Sequence, residues 1–120
     1  MSLKIKEKPI TRKVMDEVLR ITEKAMMYNN TPTKQEYTGD KPTFFVEFNG
    51  HCGDINVHCY PKGYREGAGS VWCGGDIVHP LCEDEYGTEE EILADLDRII
   101  ADMDRFYSNW LSRQEAAPDV

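Results

Sequence analysis

The stretch 43–60 constrains the fold more than any other part of this chain of 120 residues. In each half of the stretch, apolar side chains alternate with a second set that is mostly polar or aromatic, a period of two that is typical of β-strands. The residues between the halves, 50–53, begin and end with glycine, which suits a hairpin loop because glycine adopts positive φ at little cost. The stretch therefore predicts two antiparallel strands in which Asn49 lies opposite Asp54.

This register divides the side chains of the hairpin between two faces. Phe48 pairs with Ile55 on a wholly apolar face, and Glu47 pairs with Asn56 on the other face. A shift of one residue would bury the polar set, so the register is strongly specified. The second face is a candidate binding surface for a peptide, a small ligand or a partner chain, unless the N-terminal arm or a loop covers it. Its predicted members are Phe45, Glu47, Asn56, His58, Tyr60 and Trp72.

Helical periodicity flanks the hairpin on both sides. Apolar residues recur at intervals of three and four over 11–29, which predicts an amphipathic helix capped by Thr11. The same spacing recurs over 92–111, after a capping box formed by Thr88 and Glu91. This second helix is longer than a narrow sheet requires, so we expect its aromatic end to pack against the first helix or to form an interface with another subunit. The residues at this end are Phe106, Tyr107, Trp110 and Leu111.

The order of the elements predicts the fold class. A third strand is expected near 70–73, and residues 76–79 either continue it or form a fourth strand after two glycines. The direction of Val71, Trp72 and Cys73 stays open because the run is short. We predict a single two-layer α+β domain, α-β-β-β-α, in which an antiparallel meander of three or four strands carries both helices on one face. Residues 1–10 form an N-terminal arm and residues 112–120 a frayed tail. The predicted core consists of Val14, Val18, Ile21, Phe44, Val46, Phe48, Ile55, Val57, Ile92, Leu96, Ile99 and Met103.

The charge distribution is uneven. The formal net charge is -8, and residues 83–105 carry ten acidic residues against two arginines. Such a surface repels nucleic acid, so we expect no direct nucleic-acid binding. It is either a solvated helix face or a docking face for a basic partner. No apolar run is long enough for a signal peptide or a membrane span, which predicts a cytoplasmic protein that does not bind membranes.

Cysteine and histidine residues form a second candidate site. Cys52, Cys73, His79 and Cys82 are types of residue that zinc prefers, but their spacing contains no Cys-x-x-Cys pair. The alternative is that the cysteines are reduced thiols, some of them in the core. A catalytic cysteine would need a nearby cation or helix N-terminus, and the sequence indicates neither. We therefore predict no metal site, no cofactor and no catalytic residues.

Two families show partial resemblance to the chain. The order of elements is similar to that of the double-stranded RNA-binding domain, but that family's RNA-binding lysines would fall on 88–91, Thr-Glu-Glu-Glu, which argues against RNA binding. Residues 44–51, Phe-Phe-Val-Glu-Phe-Asn-Gly-His, with 54–57, Asp-Ile-Asn-Val, and the later acidic helix, resemble small uncharacterised proteins of bacterial phages and mobile elements. This resemblance covers about half of the chain and implies a genomic setting, not an activity.

The sequence lacks the phosphate loops, dinucleotide fingerprints and nucleophile elbows of the common enzyme classes. We therefore expect a small non-enzymatic protein-interaction module, with a protein partner or with self-association as a dimer through the aromatic end of the last helix. The alternative is a zinc-binding protein, structural or catalytic, that uses the cysteine and histidine residues of the loops.

Overall fold

The structure, a computed structural model, describes residues 10–30, 40–50, 53–64, 67–75, 77–78 and 88–116. Its elements are α1 (Arg12–Asn29), β1 (Thr43–Asn49), β2 (Asp54–Tyr60), β3 (Val71–Trp72) and α2 (Glu89–Ala116). The strands form one antiparallel sheet in the order β1-β2-β3. The predicted α+β class and the α-β-β-β-α order are confirmed.

The hairpin has the predicted register. Asn49 pairs with Asp54 at the turn, and the ladder continues without a break to the pair of Thr43 and Tyr60. Gly53 closes the turn at a φ of 63°, where a side chain would be strained. The hydrophobic pattern therefore selected one register, as expected where one face of a sheet is buried.

The third strand is short, and the chain then continues along the same edge of β2. Trp72 pairs with His58, the Cys73 N–H donates to the Val57 carbonyl at 2.8 Å, and Val78 forms an isolated bridge with Ile55. Residues 77–78 thus continue the edge begun by β3. Cys73 is fully buried in the core, whereas Trp72 lies on the opposite face beside His58.

The helix α1 begins and ends with side-chain contacts to the backbone. Thr11 Oγ1 accepts from the Val14 N–H at 3.3 Å, as the predicted N-cap. At the other end, the Asn29 side-chain amide bonds both backbone groups of Phe44, accepting from its N–H at 2.8 Å and donating to its carbonyl at 2.7 Å. Asn29 therefore ties the end of α1 to the beginning of β1.

The helix α2 starts at the predicted capping box, where the Glu91 N–H donates to Thr88 Oγ1 at 3.2 Å. It continues to Ala116, so the prediction of a frayed tail is wrong for residues 112–116. Arg113, Gln114 and Glu115 are good helix formers and extend the helix beyond Leu111. Residues 117–120 and 1–9 lie outside the described part of the chain, while Ile10 packs against the core. Neither described helix is long and apolar enough to cross a membrane.

The core lies between the helices and the apolar face of the sheet. Most predicted core positions are buried, and Val18 and Val46 are partly buried against them. Phe48 is the exception, since 51% of it is exposed. It faces the core side but lies on the edge strand β1, where only one neighbouring strand shields it. The hydrophobic cluster also contains Ala25, Cys59, Cys73, Val78 and Ile100.

Gly74 lets the chain after β3 approach α2 closely. Its φ is +78°, and an added Cβ would lie 2.6 Å from Ile99 Cγ1. The Gly74 N–H also donates to Asp102 Oδ2 at 2.7 Å. This contact fixes the position of the segment that carries Trp72.

Candidate functional site

One ring from each strand forms a row across the sheet, on the face opposite the helices. The register pairs Phe45 with His58 and His58 with Trp72. The Phe45 and His58 ring centroids lie 5.3 Å apart at an interplanar angle of 28°, and those of His58 and Trp72 lie 5.9 Å apart at 36°. These separations are typical of favourable aromatic pairs.

Two tyrosines extend this row toward the end of β2. The Tyr60 ring meets Phe45 at 5.5 Å and Tyr64 at 5.1 Å, and the Tyr60–Tyr64 pair is edge to face at 89°. Tyr64 also contacts Phe45 at 5.6 Å. Tyr64 was not predicted as a member of this face, because it belongs to the link after β2. The Gly63 N–H bonds the Tyr60 carbonyl at 3.0 Å and turns the chain there, and the Pro-Lys-Gly triplet at 61–63 was the available signal.

The five rings are named the aromatic face: Phe45, His58, Tyr60, Tyr64 and Trp72. Phe45, Trp72 and Tyr64 are 38%, 45% and 52% exposed, whereas His58 and Tyr60 are half-buried. The face therefore combines mutually supporting rings with accessible apolar surface, a combination that is common at binding sites. Four of the six predicted face residues meet in it.

The other two predicted residues lie beyond the row, toward the hairpin turn. Glu47 is exposed, but Asn56 opposite it is only 3% exposed, so the expectation that Asn56 offers an accessible amide is wrong. Within the described part of the chain, Asn56 Oδ1 is buried without a hydrogen-bond partner.

An open cavity of about 360 Å³ adjoins the aromatic face at Tyr60. It lies between the turn after β2 and the beginning of β3, and Lys62 supplies its charged group. The remaining lining is mostly apolar and is formed by Tyr60, Pro61, Gly63, Ala68, Gly69 and Val71. The cavity is large enough for one side chain of a ligand.

The aromatic end of α2 packs within the chain. The Tyr107 ring stacks on Tyr28 of α1 with the centroids 4.1 Å apart, and Trp110 Nε1 donates to Asp40 Oδ1 at 3.3 Å. The Lys41 ammonium lies over both the Tyr107 and the Trp110 rings, at 5.9 and 5.7 Å. Of the two arrangements expected for this end, the structure shows packing against α1.

Phe106 and Leu111, the other two predicted interface residues, differ in their surroundings. Phe106 packs against the core with the Arg105 guanidinium over its ring at 4.9 Å. Leu111 is exposed.

Several acids of α2 are already paired inside the chain. Asp104 accepts hydrogen bonds from Tyr28 and, at 2.9 Å, from Lys24, while Asp95 and Asp102 pair with arginines one turn away. Burial alone would raise the pKa of Asp104, but the hydrogen bonds from Tyr28 and Lys24 outweigh it and lower that pKa. The acidic face of α2 therefore offers less unpaired charge than its sequence suggests.

A carboxyl pair lies between the two helices. Glu17 of α1 and Asp97 of α2 line a cleft of about 330 Å³ together with Lys13, Asp16 and Leu93. Burial, the larger cause, and the neighbouring Asp97 carboxyl raise the pKa of Glu17. Glu17 Oε2 is buried and has no hydrogen-bond partner among the residues that the structure describes, and Arg20 lies 3.7 Å from Oε1.

The described thiols belong to the core. Cys59 and Cys73 are free and fully buried, and burial raises the pKa of each to about 12. Zinc and nucleophilic chemistry both require a thiolate, which these surroundings disfavour at Cys73. Within the described ranges, no group of three or more potential ligands is placed to hold a metal. Cys52, His79 and Cys82 lie outside those ranges.

The chain has no match among protein-family models, curated proteins or solved structures. The geometry of the chain itself therefore carries the functional argument.

Proposed function

We propose that this protein is a non-enzymatic interaction module that binds an extended peptide segment of a partner protein on the aromatic face. The observation that carries the proposal is the contact of five rings on the side of the sheet opposite the helices, three of them exposed. Exposed apolar surface of this kind, concentrated rather than scattered, is typical of an interaction site.

The chemistry of the face suits a peptide. Tyrosine, tryptophan and phenylalanine side chains supply large contact areas while losing few rotameric states, and their edges and faces accept apolar or cationic side chains. The half-buried His58 and Tyr60 support the exposed rings of Phe45 and Trp72 through ring contacts. The cavity beside Tyr60 provides depth for one residue of the peptide.

The charge of the chain favours a protein partner over a nucleic acid. Aromatic rows on sheets also bind unpaired bases, but such sites add a positive groove for the phosphates. Here the net charge is -8 and Glu47 adjoins the row. The same negative charge would steer a basic partner toward the protein. The acidic residues of α2 contribute to this long-range attraction.

The aromatic face is a better partner surface than the end of α2. Tyr107 and Trp110 already stack and hydrogen-bond within the chain, so a partner there would compete with contacts of α1 and Asp40. The rings of Tyr64 and Trp72 retain about half of their surface for a partner.

A displayed library of random peptides, selected on the wild-type protein, tests the proposal. Selected peptides are then titrated against a Tyr64→Ala/Trp72→Ala double variant and against Met26→Ala, which removes a still more exposed side chain from α1. We expect the double variant to lose at least about tenfold in affinity, since buried aromatic contacts dominate such interfaces. Met26→Ala should bind like the wild type.

Circular dichroism confirms that each variant is folded before binding is compared. Peptides that bind the folded double variant as tightly as the wild type would refute the proposal. Selection that enriches no peptide above the background would refute it as well.

A further inference from the structure

The outer edge of β1 presents backbone hydrogen-bonding groups that no described residue uses. The two bonds between Asn29 and Phe44 show that the N–H and carbonyl of Phe44 point away from β2. Because this direction repeats every second residue in an antiparallel pair, the backbone groups of Val46 and Phe48 point outward too. The Asn29 side-chain amide thus bonds the outward backbone groups of Phe44 in the way that a neighbouring strand would.

The hydrogen bonds of β2 lead to the same assignment independently. Ile55 exchanges two backbone bonds with Val78, at 2.8 and 2.9 Å, and the Val57 carbonyl accepts from the Cys73 N–H. The groups of Ile55 and Val57 therefore face β3, and Phe48 and Val46, which lie opposite them, turn theirs to the outside. Among the residues that the structure describes, no hydrogen bond reaches these outward groups.

The side chains along this edge alternate in chemistry. Val46 and Phe48 lie on the core side, and about half of the Phe48 side chain is exposed. Glu47 lies between them on the side of the aromatic face and is also exposed. A strand added here would place two residues beside Val46 and Phe48 and one residue opposite Glu47.

We propose that β1 accepts an extended basic segment of a partner protein as a fourth strand, paired along Val46–Phe48. The segment alternates apolar residues, which cover Phe48 and Val46, with a lysine or arginine that lies opposite Glu47. Opposite charges at directly facing positions stabilise a strand pair, and main-chain bonds supply affinity whatever the partner sequence. The inference rests on the proposed function. It specifies that a peptide bound at Phe45 on the aromatic face is also held by backbone hydrogen bonds along the outer edge of β1.

A second copy of this chain fits the edge less well. If Val46 of one copy paired with Phe48 of the other, the two Glu47 side chains would lie directly opposite each other, which is unfavourable. A register centred on Val46 would need the backbone groups of Phe44, which Asn29 already holds. The net charge of -8 on each copy adds repulsion.

Two blocked peptides of about seven residues, a common strand length, serve as probes. One alternates valine with lysine and the other alternates valine with glutamate. Each is titrated into ¹⁵N-labelled protein while the backbone amide signals are followed by NMR. We expect the lysine peptide to shift the amides of Val46 and Phe48, and the glutamate peptide to bind at least about threefold more weakly. The variant Glu47→Lys should reverse that preference.

The variant Phe48→Pro tests the backbone contribution, with Phe48→Ala as its matched control. Both variants lose the ring, but only proline removes the outward N–H, and an edge strand tolerates proline where its N–H faces solvent. We expect Phe48→Ala to bind the lysine peptide and Phe48→Pro to show no detectable binding. If Phe48→Pro does not fold, the reversal by Glu47→Lys decides the question.

Several results would overturn the edge proposal. Shifts confined to Trp72 and His58 would mean that the peptide uses the aromatic face alone, so the proposed function would stand and the edge would fail. Shifts at Val46 and Phe48 that grow with protein concentration before any peptide is added would assign the edge to a second copy. An absence of shifts at both residues with both peptides would also refute the edge proposal, whereas the peptide selection tests the aromatic face separately.

Discussion

Replacing Gly74 by alanine should destabilise the protein strongly, because Gly74 combines a left-handed backbone with a close approach to α2. The new Cβ would lie 2.6 Å from Ile99 Cγ1, 3.2 Å from Ile99 N and 3.3 Å from Ile99 Cα. Rotation of the Ile99 side chain relieves only the first of these contacts. The segment after β3 or the helix must therefore move.

The magnitude has two parts. A non-glycine residue at a φ of +78° costs about 1 kcal/mol, and overpacking in a rigid core costs about 1–3 kcal/mol. We expect Gly74→Ala to lower the free energy of unfolding by about 2–4 kcal/mol. Gly75→Ala is the matched control, since its φ of +80° is nearly the same but nothing lies within 4 Å of its added Cβ. Gly75→Ala should cost only about 1 kcal/mol.

Equilibrium unfolding in urea measures both variants. With a urea dependence of about 1.5 kcal/mol per M, the midpoint should fall by about 1.3–2.7 M for Gly74→Ala and by less than about 1 M for Gly75→Ala. Since Gly74 positions the segment that carries Trp72, the first variant should also weaken peptide binding to the aromatic face. Equal midpoint shifts for the two variants would refute the predicted contact between Gly74 and Ile99.

Two further predictions concern groups with shifted pKa values. Because the folded state raises the pKa of Glu17, its contribution to stability is complete below the unfolded pKa and is lost as pH rises through the folded value. Glu17→Gln should therefore stabilise the protein by about 1 kcal/mol at neutral pH and remove the loss of stability that occurs as pH rises through the folded pKa of Glu17. Thermal melts that show the same pH dependence for both proteins would contradict this. The thiols of Cys59 and Cys73 are buried, and burial raises the pKa of each to about 12. Both should therefore resist iodoacetamide at pH 8 until urea unfolds the chain. Rapid labelling of either thiol in the native protein, mapped by mass spectrometry, would contradict this.

The hairpin was predictable residue by residue because its information is local. Strand alternation has a period of two, and only one pairing of 43–49 with 54–60 buries an entire apolar set. The same reasoning placed Phe45 and His58 side by side on the other face. The helices were likewise readable from their periodicity and from the caps at Thr11 and Thr88.

The third strand and the aromatic face depended on longer-range contacts. The two paired residues of β3 are too few to show a period in the sequence. The burial of Cys73 and the outward direction of Trp72 were instead decided by the close approach of Gly74 to Ile99. Tyr64 joined the aromatic face because a turn returned the chain to β2, and no periodicity predicts such a contact. The exposure of Phe48 followed from its place on an edge strand, which alternation cannot reveal.

The sequence by itself determined the class of fold, the order of the elements, the register of the hairpin and the shared face of Phe45, His58 and Tyr60. These follow from local periodicity, turn residues and caps, which act over a few neighbouring positions. Only the tertiary structure decided which acids of α2 are paired, that Tyr107 packs on Tyr28, and which backbone groups of β1 remain open. Each of these depends on how separate elements meet in space, and that arrangement is set by the packing of the whole core.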